Sequence, residues 1–319
     1  MTFHVRLVSP GDLTEHLVDV LLADSGVSNL VVLTGSARRP DGDAVQFDVL
    51  ARSANVVLRQ LKALQDDRHG SITIESVDAA IGEQATPPSR HRLVQRDLAP
   101  VWDIVEAKIR SDAVYAPSFY ILLAIAGLIG AVGILTNSQI LIVGAMVVGP
   151  EYNAIMGIAL GTDKGDKPAV LRGAFALLAG FSAAIIVTLI FGLAIRWSGR
   201  TPEAYLLGVR PVSNLIDNPD LYSLIVAVLA GIVGVVSLTE AKSAALIGVF
   251  ISVTTIPAAA DTGLSIAYAN WAEARGSVLQ LLLNVTVLIA IGALGLRLQR
   301  IIWRLRSDAE GHATDAPGM

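Results

Sequence analysis

The stretch AVYAPSFYILLAIAGLIGAVGILTNSQILIVGAMVVGP, Ala113–Pro150, decides the architecture, because its thirty-eight residues contain no charged side chain. A bilayer core takes roughly 20 helical residues per crossing, so this run is too long for one span and suits two. The polar tetrad Thr136-Asn137-Ser138-Gln139 is the natural break between them. Four more apolar stretches follow: Val170–Ile195, Leu221–Leu238, Ala244–Tyr268 and Val278–Leu296. The expectation is a membrane core of six helical spans.

The distribution of charge agrees. The 319 residues are 53% hydrophobic and 16% charged, but the charges are unevenly placed. Residues 1–113 hold 28 of them and residues 114–296 only 17, so a soluble segment precedes a membrane segment. A single water-soluble globule, a disulfide scaffold and a disordered chain are excluded as descriptions of the whole. Without cysteine there is no thiolate nucleophile and no Cys-held metal centre. The net charge of −4, with no basic tract in the soluble part, argues against a nucleic-acid partner.

The soluble segment, 1–83, alternates strand and helix signals. His4–Ser9, Asn29–Thr34, Ala44–Ala51 and Ser71–Val77 read as strands. Asp12, with Glu15 three positions on, reads as the capping box of a helix carrying Leu13, Leu17 and Leu21, and Ala54–Leu64 is a second helix. The order β-α-β-β-α-β is the α+β ferredoxin-like arrangement. Its Pro10-Gly11-Asp12-Leu13 step resembles that of small-molecule-sensing ACT-type domains, which implies a regulatory ligand site at these four residues. An assembly module without a ligand is the other reading.

Residues 84–114 form a linker. Thr86-Pro87-Pro88-Ser89 is stiff, and Val101–Arg110 reads either as a helix along the lipid headgroups or as an exposed linker helix. Residues 300–319 begin basic and are expected to end in a disordered tail.

Within the membrane core, 115–299, the sequence repeats. Ala126-Gly127-Leu128-Ile129-Gly130 matches Ala230-Gly231-Ile232-Val233-Gly234, Leu135-Thr136 matches Leu238-Thr239, and Gly144-Ala145-Met146 matches Gly248-Val249-Phe250. Each copy, about 117–197 and 221–299, then meets a proline inside its apolar run, Pro150 or Pro257. Three spans per copy is an odd number, so the second copy inserts upside down, giving an inverted three-plus-three repeat.

An acid follows each proline, Glu151 and Asp261. A proline breaks the helix and frees a carbonyl one turn back, and a carboxylate at that depth takes up a proton, a cation or a partner. Pro150, Glu151, Asn153, Thr254, Thr255, Pro257 and Asp261 are therefore the residues expected to form a small-cation or proton site. The competing reading places both acids at the interface as ordinary first-turn acids. Asn284 and Thr286 are expected to bond a neighbouring helix, and Trp197, Trp271 and Trp303 to anchor span ends.

No Walker loop, G-x-S-x-G or H-E-x-x-H motif occurs, and all five histidines lie outside the spans, so no enzyme, cofactor or metal centre is expected. Arg297, Arg300, Arg304 and Arg306 after the last span, with Lys164, Lys167 and Arg172 between the second and third, put both termini on the cytoplasmic side. Small-residue faces point to a homo-oligomer.

The run Ile142-Val143-Gly144-Ala145-Met146-Val147-Val148-Gly149-Pro150, with Thr255-Ile256-Pro257-Ala258, resembles a bacterial family of uncharacterised hydrophobic membrane proteins, domain of unknown function 389. The resemblance covers roughly residues 115–270 and implies a cytoplasmic membrane protein with a small N-terminal domain. Many members carry Pro-Leu-Met where this chain has Pro150-Glu151-Tyr152, and the family implies no activity. The functional expectation is a transporter or channel for a small ion or solute, the alternative a membrane-anchored sensor or scaffold.

Overall fold

The computed structural model describes residues 2–64, 71–77, 102–208, 216–217, 219–239 and 255–314. The chain divides into two compact units, Met1–Val105 and Glu106–Met319.

The first unit is α+β. Strands β1 (Thr2–Ser9), β2 (Val27–Arg38), β3 (Asp41–Leu50) and β4 (Ser71–Val77) form one antiparallel sheet in the order β2-β3-β1-β4. β1 lies between β3 and β4, with Val5 opposite Phe47 on one side and Ile74 on the other. Helices α1 (Gly11–Ala23) and α2 (Ala51–Leu64) complete the unit. The core joins alternate strand residues, Phe3, Val5, Leu7, Val45, Phe47 and Val49, to Leu17 and Leu21 of α1 and Val57, Leu58 and Leu61 of α2. A period of two meets periods of three and four, as one-sided burial demands. Gly42, at a φ of 152°, is required where β3 begins, because a Cβ there would collide with the Ser9 carbonyl.

One local expectation is corrected. Asp12 does not cap α1. The helix begins at Gly11, its N-cap is Pro10, and no side chain caps it. Pro10 fixes the entry geometry two residues earlier than a capping box at Asp12 would allow, which moves Asp12 into the first turn.

Helix α3 (Trp102–Asp112) occupies the end of the linker. Val105 and Ile109 are buried, Glu106 and Arg110 are tied by ion pairs, and Ala107 and Lys108 are exposed. Lys164 Nζ lies 2.8 Å from Glu106, and Arg110 Nη1 lies 3.6 Å from Asp166. Burial pushes the Glu106 carboxyl up, but Lys164 and Arg110 more than offset this and hold it below its ordinary value.

The second unit is helical. It comprises α4 (Pro117–Leu135), α5 (Gln139–Val148), α6 (Glu151–Lys164), α7 (Lys167–Trp197), the short α8 (Glu203–Leu206), α9 (Leu221–Thr239), α10 (Thr255–Ala267) and α11 (Trp271–Thr314). Among the described residues, four stretches are long and apolar enough to cross a bilayer: Pro117–Leu135, Lys167–Trp197, Leu221–Leu238 and Trp271–Ile302. The bent pair α5 and α6 makes a fifth if counted as one span. Of the six expected stretches, Ala244–Tyr268 is described only from Thr255 onward. Helix α11 runs on to Thr314, through part of the stretch expected to be disordered.

Apolar side chains stand exposed along the long helices, among them Ile121 and Ile125 of α4, Phe175, Leu178 and Ile190 of α7, and Leu229 and Ile232 of α9. Such a surface is stable against lipid and not against water. By contrast, Glu151–Gly161 of α6 is buried at every position but Asn153, and α10 at every position but Ile266. Two short helices rich in Gly and Ala are thus sheathed by longer ones.

Candidate functional site

The chain breaks where Gly149-Pro150 separates α5 from α6, and the two helices meet at a 50° bend. Proline at 150 has no N–H to continue the α5 ladder, so α6 starts afresh with Glu151 as its first residue. Helix α5 itself begins one turn past Leu135, with Ser138 Oγ accepting the Leu141 N–H, which places the tight connection at the expected tetrad.

Glu151 is 5% exposed. Thr255 Oγ1 donates to Glu151 Oε1 at 2.7 Å, while Glu151 Oε2 has no hydrogen-bond partner among the described residues. The carboxylate folds back over Gly149, where a Cβ would collide with Glu151 Oε2 and lie 2.8 Å from Ile256 Cδ1. Glycine is therefore needed at 149 for the carboxylate to sit where it does. An ionised carboxylate with one oxygen unpaired at membrane depth costs roughly 2.5–3.5 kcal/mol or more, which a counter-charge removes.

Asp261 is fully buried on α10. Its Oδ2 accepts from Ser277 Oγ of α11 at 2.6 Å and, more weakly, from Ser265 Oγ one turn on at 3.5 Å. The structure thus brings Glu151 to Thr255 and keeps Asp261 apart, six residues further along the same helix, about 9 Å at 1.5 Å per residue. The two acids hold unequal places, Glu151 directly after Pro150 and Asp261 four residues after Pro257. Pro257 lies in the first turn of α10, Asn153 is half-buried on α6, and Thr254 falls outside the described residues.

Sequence reasoning named Thr255, the partner of Glu151, and missed the residues around Asp261. Ser277 and Gln280 were not singled out; Asn284, expected to bond a neighbouring helix, accepts from Gln280 Nε2 on its own helix at 3.3 Å. Thr286 is exposed. The available signal was polar residues at 277, 280 and 284, spacings of three and four that select one helix face. Also missed was Asp163, whose side chain is 2% exposed and pairs with Arg300 Nη2 at 2.5 Å.

The repeated glycines make paired contacts. A Cβ on Gly127 would meet Ala184 and Thr188 of α7, and one on Gly231 would meet Ile291 of α11. Gly130 faces Ala260 of α10 at 3.2 Å, and Gly234 faces the Tyr152 phenol of α6. Gly263 of α10 lies against Thr188 of α7, and Gly292 of α11 against Ala159 and Met156 of α6.

In the soluble unit, Pro10 O accepts from Leu13 N at 3.0 Å and from Thr14 Oγ1 at 3.2 Å. The start of α1 already has a carboxylate beside it, since a Cβ on Gly11 would lie 3.7 Å from Asp43 Oδ2. The Gly35 N–H donates to Asp43 at 2.7 Å, and with Thr14 it holds the Asp43 carboxyl below its ordinary value. Gly11 and Asp12 are exposed. Trp197 and Trp271 are exposed at the ends of α7 and α11, as interfacial anchors require.

Taken together, the sheathed helices and their lipid-compatible exterior define a multi-pass helical membrane protein with an N-terminal α+β domain. Residues 146–290 match the family model described as Domain of unknown function (DUF389), so the membrane region carries this domain. No curated protein and no solved structure matches the chain.

Proposed function

We propose that the protein is a transporter or channel for a small cation, proton or monovalent metal, built on an inverted three-plus-three repeat. The observation that carries this reading is the Glu151 carboxylate, buried at a helix break with one oxygen held by Thr255 and the other without a partner among the described residues. Helix breaks that place backbone carbonyls beside a carboxylate are how membrane proteins bind such ions.

The repeat is supported by the reciprocal glycine contacts. Gly127 and Gly231 each pack on the third helix of their own copy, and Gly130 and Gly234 each face the post-proline helix of the other copy. The alternating course of the chain is supported by two contacts. Arg300 pairs with Asp163, joining the end of the last span to the end of the second, and Arg196 Nη1 donates to Ala267 O at 2.7 Å, joining the ends of the third and fifth. With basic residues concentrated at the 163–172 and 297–306 ends, both termini are assigned to the cytoplasmic face of a bacterial cytoplasmic membrane. The β-α-β-β-α-β unit is read as a ferredoxin-like domain that assembles or modulates the core, and the chain as a homo-oligomer. Enzymatic chemistry forms no part of this reading.

A non-transporting anchor for the soluble domain is the second reading, favoured by the enclosure of Asp261 among hydroxyls. Purified full-length protein in liposomes separates the two. Gradient-driven cation flux that Glu151→Gln lowers by about tenfold is the expected result, the size of a lost charged ligand. Equal flux in both proteins removes the site, and flux in neither leaves the anchor.

A further inference from the structure

We infer that the seam between α10 and α11 is the path of a monovalent metal cation, with Glu151 and Asp261 as its two stations and the Gln280–Asn284 amide pair between them. The inference rests on the transport reading and adds to it the route, the ion class and residues that reading does not use.

Helices α10 and α11 are consecutive, packed together and joined by Tyr268, Ala269 and Asn270 alone. Asp261 stands six residues before the end of α10 at Ala267, and Ser277 six residues after the start of α11 at Trp271. Their 2.6 Å hydrogen bond sets the two helices level there. Counting on from that level, Asn284 stands thirteen residues into α11 and Thr255 twelve residues before Ala267, so these two are level as well. At 1.5 Å per residue the two levels are about 10 Å apart, and Gln280 lies between them.

Ser277, Gln280 and Asn284 share one helix face and are 0–2% exposed, while Val278, Leu279 and Leu282 on the opposite side are exposed to lipid. Three polar side chains on the buried face of a membrane helix are costly unless they serve packing or passage. By level, Gln280 and Asn284 stand on this enclosed face between the height of Asp261 and that of Thr255. Gln280 Nε2 donates to Asn284 Oδ1, which ties the two amides into one unit.

The donor set selects the ion. Among the described hydrogen bonds, each station brings one carboxylate together with hydroxyls, Thr255 at Glu151, and Ser277 and Ser265 at Asp261. One negative charge balances one positive charge, whereas calcium and magnesium sites draw on several carboxylates. Among the described residues no three of His, Cys, Asp or Glu gather as a metal site. Between the stations stand amides, which do not titrate but present carbonyl oxygens, ligands for a partly dehydrated cation rather than relays for a proton. Glu151 Oε2, buried and without a partner among the described residues, is the vacant ligand atom at one end.

The test uses purified full-length protein in liposomes, with radiolabelled sodium uptake and an internal pH dye read in parallel. Gln280→Met and Asn284→Leu should each lower sodium uptake by about tenfold, while Asn284→Gln, which keeps the carbonyl, retains most of it. Ser277→Ala should raise the sodium concentration for half-maximal uptake several-fold. Elution profile and melting temperature identify any variant that has lost its fold, and the Ser277 shift then carries the test. Wild-type sodium uptake that survives Gln280→Met, Asn284→Leu and Ser277→Ala overturns the path and leaves the Glu151 site standing. Proton flux without sodium or rubidium uptake overturns the ion class. A wild-type protein that passes neither overturns the transport reading itself.

Discussion

Thr255 and Glu151, 104 residues apart in the chain, share a 2.7 Å hydrogen bond inside the membrane region. The bond joins the first residue of α6 to the first turn of α10, so the two proline-associated helices are tied to each other. In a low-dielectric interior a hydroxyl-to-carboxylate bond of this length fixes both helices, and losing it leaves a buried acceptor unmet.

Replacing Thr255 by Val should therefore destabilise the protein by about 1–3 kcal/mol, the cost of a buried acceptor without its donor. Thr255→Ser keeps the hydroxyl and should recover most of the loss. Thermal unfolding in detergent, followed by tryptophan fluorescence, gives the ranking. A Val variant as stable as wild type would show that the bond contributes nothing net.

Gly149 and Gly144 provide a matched pair. A Cβ at 149 collides with Glu151 Oε2 and presses on Ile256, whereas a Cβ at 144 meets nothing within 4 Å. Gly149→Ala should cost about 1–3 kcal/mol through overpacking and displace the carboxylate. Gly144→Ala should be neutral or slightly stabilising, since alanine is the better helix former. Melting temperatures of the two variants decide, and equal values would contradict the placement of the Glu151 side chain.

Asp163 and Arg300 predict a non-additive result. Asp163 is almost wholly enclosed and Arg300 largely so. Arg300→Gln alone leaves a buried carboxylate unpaired and should cost about 3–5 kcal/mol. Adding Asp163→Asn should restore much of that loss, because the uncompensated charge goes with it. A double-mutant cycle on unfolding free energies reads the coupling directly. Additive effects would mean that the pair does not hold α6 to α11.

The soluble unit has a pH signature through Asp43. The Gly35 amide and Thr14 hydroxyl hold its carboxyl below the ordinary 3.8, so the charged form is favoured in the folded state. Stability from this group is complete above pH 3.8 and is lost as the pH falls through the lower folded-state value. Acidification from pH 5 toward 3 should loosen the β2–β3 hairpin of the wild type more than that of Asp43→Asn. Amide exchange across Leu33–Asp43 in the full-length protein measures this, and identical pH profiles would dismiss the contribution.

Much of the fold was legible in the sequence because it depends on short-range patterns. The alternation in His4–Ser9 and Ala44–Ala51 marks strands that the structure extends by only a few residues. Thr136–Gln139 and Gly149-Pro150 punctuate the apolar run where the helices do end. The site was legible in Glu151 and in its partner Thr255, and not in the residues around Asp261. Glu151 stands out because a carboxylate after a proline is rare in an apolar stretch, and Thr255 because it stands two residues before the second proline. Ser277 and Gln280 are ordinary residues whose roles are set by how the helices meet. Asp12 misled for a related reason. The carboxylate beside the start of α1 belongs to Asp43, on a strand thirty residues on, and nothing in the local sequence announces it.

Helix α6 touches α11 through Ala159 and Met156, which seat Gly292. Its polar first residue and small side chains give lipid little reason to accept it, yet that wall is synthesised more than a hundred residues later. Helix α7, made directly after α6, supplies one side of its enclosure, and the side formed by Gly292 is added only when the final helix has been synthesised. Truncation before Trp271 would leave that side uncovered.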